Sequence, residues 1–453
     1  MSERHLRFEE TDVILDHVRR AECVALVGVS NMGKSTLLRT LTQPHILAQH
    51  LGTEADNVAL IYVDCNRMVE MSERAFYEAV LSALLDQLPL LDVPASIVQQ
   101  VERAHQVVVD PPSPFHVPLR FNQALTQVVM SLSRTLVLAF DEFDEAFENL
   151  NERVFANLRA LKDRDWTGIV YITATDRDLV DIRGGAEVEE FVELFAHQTF
   201  YLPPFSPEDA RKYIQQLARR MGVTFDASDE RFILEWAGGH PGLIEAVARV
   251  LGRVTGPQRR DEVQNFLIHR QVAAKLRLDP AVRQECERIW YDLTEEERQA
   301  LFDLLGPHPT PNTDALAALQ RRHVILHADD ENPRLFARAF TEFVDRLRRR
   351  YAISEQGIRY DPDADTVYVD GVRIQDLSRL EHKLFLLLYG RLGRVVEKDE
   401  IIREVWGEDY IGEADDARVE KLVSRLRRRL KVRPSTPDYI LTVRGRGYKM
   451  ISG

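Results

Sequence analysis

The stretch Gly28-Val29-Ser30-Asn31-Met32-Gly33-Lys34-Ser35 leaves little choice of fold. It satisfies G-x-x-x-x-G-K-[ST] at every position, a pattern that works only between a buried strand and a helix. The flanks supply both: Cys23-Val-Ala-Leu-Val27 is a short apolar run, and Thr36-Leu-Leu-Arg-Thr-Leu41 opens with helical spacing. In such a loop, glycines let successive backbone N–H groups face a polyphosphate, and the helix N-terminus adds positive potential. Gly28, Asn31, Met32, Gly33 and Thr36 are the candidate nucleotide contacts. Lys34 would reach the β/γ-phosphates, and the Ser35 hydroxyl would sit on Mg²⁺.

Up to about Leu202 apolar runs alternate with helical periods, which predicts a parallel α/β sheet with helices on both faces. The predicted strands are Val58–Asp64, Thr135–Phe140, Gly168–Thr173 and Gln198–Leu202, with helices over Ser72–Leu88 and Phe121–Leu132. The proline-rich segment Asp110–Pro118 reads as a loop. The strand Leu136-Val-Leu-Ala-Phe140 delivers Asp141 and Glu142 at its carboxyl end, where ligands of open α/β sheets bind. That assigns Asp141 to the metal and Glu142 to orienting or deprotonating the attacking water. Thr173 and Thr175 end the next strand beside the γ-phosphate position, as candidate sensors.

From Ser206 the pattern is helical. Ser206 and Asp209 frame a helix start with Pro207 at its first position, and Gly238-Gly-His240-Pro241-Gly242 is a turn opening another helix. A P-loop, an acid-ended apolar strand, a threonine-ended strand and a helical region with Gly-Gly-His-Pro together resemble the STAND class of signal-transduction ATPases, relatives of AAA+ proteins, over about residues 1–345. The resemblance implies that Pro241, with His240, contacts the adenine of ATP or ADP. Thr294–Glu297 is a capping box. The following helix Leu316–Arg322, strand Val324–His327, polar turn Asp329–Pro333 and segment Arg334–Phe340 resemble the winged helix that locks the closed state of STAND proteins.

The net charge is −13, yet from Arg418 to Lys449 there are eleven basic and two acidic residues. An acidic chain with one basic end reserves that end for an anionic partner. Beyond a basic junction at Arg346–Arg350, strands flank Asp370-Gly371, a capping box at Ser378–Glu381 opens a helix expected to bury Leu380, Leu384, Leu387 and Leu388, and a second helix spans Lys398–Trp406. A third runs from Asp415 to Lys431, with an apolar stripe of Val419, Leu422, Val423, Leu426 and Leu430 and a basic face of Arg418, Lys421, Arg425 and Arg428. Residues 355–453 resemble the OmpR/PhoB type of winged helix-turn-helix, most tellingly in Val443-Arg444-Gly-Arg446-Gly-Tyr448. By that resemblance Arg425, Arg427 and Arg444 contact double-stranded DNA; Arg418, Lys421 and Arg428 of the basic face and Arg446 of the wing are further candidate contacts.

The expected organisation is therefore 1–203 P-loop NTPase, 204–255 helical lid, 256–350 helical and winged-helix regulatory domain, and 355–453 winged-helix DNA-binding domain. The charged N-terminus and short apolar runs indicate a cytoplasmic protein without a membrane span. The expected function is an ATP-dependent transcription regulator that self-associates in the ATP state, with an unidentified signalling partner. The alternative is a defence or DNA-handling ATPase that uses the winged helix for docking.

Overall fold

A computed structural model describes residues 4–91, 93–255, 261–306, 312–328, 331–355, 357–361, 366–374, 377–407, 413–432 and 436–451. The chain divides into two compact units, Met1–Val344 and Asp345–Gly453. In the first, Val24–Val27 (β1), Val58–Asp64 (β2), Thr135–Asp141 (β3), Ile169–Thr175 (β4) and Thr199–Tyr201 (β5) form a five-stranded sheet in the order β2-β3-β4-β1-β5, with every pair parallel. The apolar runs are continuous because helices cover both faces, and β1 and β4 are buried at every position. One face carries a core rich in packed rings, among them Phe76, Phe140, Phe143, Phe147, Phe155 and Phe191.

Register decides what meets at the carboxyl edge. Asp64 pairs with Asp141, Phe140 with Thr173 and Val27 with Thr175, so the loops after β1, β3 and β4 leave the sheet side by side.

The expected loop Asp110–Pro118 is shorter than predicted, because the helix His116–Leu132 begins inside it. Pro118 is tolerated there: in a first turn its missing N–H would have no intrahelical acceptor. The expected turn Asp329–Pro333 is also shorter. Positions 329 and 330 lie outside the described residues, and Glu331–Leu335 (β7) pairs antiparallel with Ile325–Ala328 (β6). A two-stranded hairpin admits Pro333 because each strand is paired on one side only. The basic run Arg346–Arg350 lies within a continuous helix, Arg338–Glu355, where Asp345 pairs with Arg348 and Arg349.

In the second unit, Ile358–Asp361 (β8), Thr366–Val369 (β9) and Val372–Arg373 (β10) form an antiparallel sheet, with Asp370 and Gly371 both left-handed in its turn. Three helices follow, Arg379–Tyr389, Lys398–Trp406 and Glu413–Leu430. Val395–Glu397 (β11), Ile440–Val443 (β12) and Gly447–Met450 (β13) complete a second sheet in the order β11-β13-β12. The capping boxes at Thr294 and Ser378 both form. The core-facing side of Arg379–Tyr389 is narrower than expected: Leu384, Phe385 and Leu388 are buried, Leu387 is half-buried and Leu380 is exposed. A 3.6-residue period centred on Leu384 and Leu388 puts Leu380 and Leu387 together at one margin, while Glu381 and Phe385 are buried on the other side.

Gly447 is fixed by close approach. Its φ is 146°, and a Cβ there would lie 2.0 Å from the carbonyl oxygen of Val396 on β11. Gly447→Ala is expected to destabilise the second unit by roughly 2 kcal/mol or more, read as an early denaturant transition of the full-length chain.

Candidate functional site

The loop after β1 curls because Asn31 and Gly33 have φ of 59° and 99°, while Gly28 N–H donates to the Thr175 carbonyl at 3.1 Å and ties the loop to β4. Lys34 is buried. Its Nζ donates to the Gly28 carbonyl at 2.6 Å and to the Asp176 carboxylate just past β4. Burial alone would lower the Lys34 pKa, but the facing charge of Asp176 outweighs it and the pKa is raised. Ser35 Oγ donates to Asp141 Oδ1 at 3.2 Å, and Tyr62 Oη donates to Asp141 Oδ2 at 2.5 Å. Glu142, left-handed at φ 52° and ψ 47°, stands at the N-cap position of the next helix without a side-chain capping bond; burial pushes its carboxyl above the usual range.

These groups open on a cavity of about 640 Å³, lined on the loop side by Asn31, Gly33, Lys34, Ser35 and Thr36, and elsewhere by Glu142, Tyr213, Pro241, Arg249 and Arg288. The structure thus brings Lys34, Ser35, Glu142 and Pro241 to one cavity, with Asp141 against Ser35. The two threonines differ. Thr175 donates its hydroxyl to the Arg177 carbonyl at 2.7 Å, whereas the buried Thr173 hydroxyl has no hydrogen-bond partner among the described residues. His240 is fully buried, and both ring nitrogens are used locally: Nε2 faces the Ser30 carbonyl at 2.9 Å, and Nδ1 accepts the Leu243 N–H at 3.2 Å. In this arrangement it braces the P-loop rather than facing a base, and burial holds its pKa down at about 4, which keeps the ring neutral.

Sequence reasoning missed the residues that close the site. Asp292, at the end of the helix Pro280–Tyr291, accepts Ser30 N–H at 2.6 Å and Ser30 Oγ–H at 2.9 Å. Glu285 accepts from the Asn31 side-chain amide at 2.7 Å. Arg322, buried against Glu297, donates to the carbonyls of Asp176 at 2.9 Å and Asp292 at 3.1 Å. Arg7, also buried, donates to the Met32 carbonyl at 2.8 Å. Only Asp176, the residue directly after Thr175, carried a local signal. The others act from 25 to 262 residues away.

The second unit presents a different surface. Val419, Leu422, Val423, Leu426 and Leu430 are buried, and Arg418, Lys421, Arg425 and Arg428 are exposed on the other side of the same helix. Arg418 pairs with Asp415 at 3.1 Å and lies over Trp406. Arg427 sits apart from this set: it donates to the Ile440 carbonyl at 2.9 Å and to Thr442 Oγ1 at 2.7 Å, tying the helix to β12. Arg444 and Arg446 are exposed on the turn between β12 and β13. Among the described residues, no helix is long and apolar enough to cross a membrane, and no group of three or more His, Cys, Asp or Glu forms a metal cage.

Residues 5–356 match the family described as Novel STAND NTPase 1, and residues 373–450 match the family described as Transcriptional regulatory protein, C terminal. A probable transcriptional regulator, ycf27, of Guillardia theta is 42% identical over 82 residues, 18% of this chain and 32% of the relative, so the chain spans about a third of that relative's length. Among solved structures, a Walker-type ATPase of Pyrococcus abyssi aligns over 75% of this chain and 95% of its own at 14% identity and a TM-score of 0.47. The RstA DNA-binding domain of Klebsiella pneumoniae, solved in complex with the RstA box, aligns over 21% of this chain and 91% of its own at 27% identity and a TM-score of 0.19.

The closed site has a pH signature. Burial, with Asp176 alongside, pushes the carboxyls of Asp292 up to about 7 and of Asp144 up to about 6, from an ordinary 3.8. A carboxyl raised on folding supports the fold fully only below its unfolded pKa, and that support is lost as pH rises through the folded value. Asp292→Asn removes this titration. Relative to the wild type, its unfolding free energy without nucleotide should rise between about pH 4 and about pH 7 and then level off, by up to roughly 1 kcal/mol per pH unit, read from denaturant titrations across that range.

Proposed function

Because the chain belongs to the Novel STAND NTPase 1 family and joins to it a C-terminal transcriptional regulatory domain, we propose that it is a transcription regulator whose DNA binding is switched by ATP binding and slow hydrolysis. The observation that carries this reading is the convergence of Lys34, Ser35, Glu142 and Pro241 on one cavity, with Asp141 behind Ser35, in a chain whose other unit exposes an arginine face. On this reading residues 1–203 bind the nucleotide, 204–255 form the lid, 256–350 hold the closed state and 355–453 read DNA in the cytoplasm.

Within the cavity, the P-loop N–H groups and Lys34 bind the phosphates and Pro241 packs on the base. The hydroxyl of Ser35 and the carboxylate of Asp141, 3.2 Å apart, are hard oxygen donors suited to a cation that keeps waters and phosphates as its other ligands. When bound, Mg²⁺ neutralises charge on the β- and γ-phosphates. Glu142 orients the attacking water and takes its proton, and its raised pKa makes it the stronger base for that step. Of the two threonines, Thr173 is the candidate γ-phosphate sensor, because its hydroxyl has no partner among the described residues whereas that of Thr175 is spent on the Arg177 carbonyl. Entry of a polyphosphate replaces Asp176 on Lys34 and Asp292 on Ser30, which releases the helical segment and permits self-association on paired half-sites.

On the DNA, Arg418, Lys421, Arg425, Arg428, Arg444 and Arg446 contact phosphates and base edges, while Arg427 holds the wing in place.

Lys34→Ala should abolish nucleotide binding and with it any ATP-dependent change in DNA affinity, measured by fluorescence anisotropy on duplexes selected from genome-wide mapping. An ATP response unchanged in this variant would overturn the coupling. Glu142→Gln should keep nucleotide affinity while turnover falls about 100-fold or more. A regulator also shows a sequence-dependent excess of affinity over its salt-dependent background; equal affinity for random duplex at every salt concentration would instead mark simple docking.

A further inference from the structure

The second strand of the sheet holds a side chain that the proposed reaction has so far left unused. β2 is an edge strand, paired only with β3, so alternate backbone groups along it lack a ladder partner. At Tyr62 those groups are taken by one side chain: Tyr62 N–H donates to Gln87 Oε1 at 3.0 Å, and Gln87 Nε2 donates back to the Tyr62 carbonyl at 2.9 Å. This two-point clamp fixes the backbone of Tyr62 as a neighbouring strand would. Opposite in register stands Ala139, two residues before Asp141, so that Tyr62 and Asp141 share a face of the sheet. From that position the phenol hydroxyl reaches Asp141 Oδ2.

A third element completes the arrangement. Arg39, on the helix that begins at Lys34, donates to Tyr62 Oη at 2.9 Å and lies 4.9 Å over the phenol ring. The ring therefore occupies this guanidinium, which would otherwise be free to seek Asp141, and passes on only a neutral hydroxyl.

We infer that Tyr62 is a positioning residue for the metal ligand Asp141: it holds Oδ2, so that Oδ1 remains turned toward the Ser35 hydroxyl, and it keeps Arg39 from pairing with that carboxylate. A ligating carboxylate whose second oxygen is held by a hydrogen bond binds its metal in one orientation, and loss of such an outer partner typically costs 10–100-fold in metal affinity. The inference rests on the nucleotide–metal reading of the site.

Tyr62→Phe keeps the ring and the stacking of Arg39 on it, and deletes the hydroxyl with its hydrogen bonds to Asp141 and from Arg39. The test measures Mn²⁺ binding by electron paramagnetic resonance on the full-length chain in the presence of ADP, and separately ADP affinity in EDTA. The expected result is Mn²⁺ affinity weakened about tenfold with metal-free ADP affinity unchanged. Wild-type Mn²⁺ affinity in Tyr62→Phe would overturn the inference. So would an equal loss of metal-free ADP affinity, which would mark a structural role only. Asp141→Asn separates the two levels of the argument: if it binds Mn²⁺ as wild type does, the metal assignment of Asp141 fails, and the role of Tyr62 fails with it. If Asp141→Asn loses Mn²⁺ and Tyr62→Phe does not, the inference alone fails.

Discussion

Lys34 is an ammonium withdrawn from water, and much of the first unit is arranged around the answer to its charge. Burying a cation is costly unless a partner is supplied, and here the partner is Asp176, reached across the sheet from the end of β4. Asp176 is itself fixed at its main chain: its N–H donates to Asp144 at 2.9 Å, and its carbonyl accepts from Arg322. Arg322 in turn is buried against Glu297, whose carboxylate also caps its own helix at Thr294. A single charge at the start of the P-loop helix is thus linked, through Asp176 and Arg322, to a capping box more than 250 residues further along the chain.

The arrangement leaves too many carboxylates near one ammonium. Asp144, Asp176 and Asp292 crowd Lys34, and the raised pKa values of Asp144 and Asp292 follow from burial together with their like-charged neighbour. This like-charge pressure sets a condition on any anion that enters the cavity. A polyphosphate cannot simply be added to these carboxylates; either they move away from the P-loop donors or a cation arrives with it. Without a cation, an anion in the cavity and the Asp292 carboxylate on Ser30 therefore oppose each other on electrostatic grounds.

Local signals made much of this legible, and the unread remainder has one physical character. The strand, loop and helix around Gly28–Ser35, the capping boxes at Thr294 and Ser378, and the apolar stripe from Val419 to Leu430 are each encoded within a few residues, and each formed. Pro118 misled because proline is a breaker in a helix interior but not in a first turn. Leu380 misled because leucine identity stood in for angular position about the helix axis. His240 was near the right place, but which neighbour its nitrogens would meet depended on how the loop at Ser30 packs. Asp292, Arg322 and Arg7 left no mark, since an aspartate or an arginine at a helix end and an arginine beside acids are ordinary surface patterns until tertiary packing brings them to the P-loop.

Ser30 shows why that packing matters more than the motif alone. It occupies one of the positions the pattern leaves unspecified, yet every polar group it owns is engaged: the N–H and the hydroxyl by Asp292, the carbonyl by His240. One of these partners lies on the turn before Pro241 and the other in the helical segment beyond residue 261, so the loop is held from two sides by parts of the chain that contribute none of the motif. The motif dictates that phosphate can bind. A phosphate that approaches the loop meets a Ser30 whose N–H and hydroxyl are already held by Asp292, so on the proposed reading it is this contact that nucleotide binding has to displace.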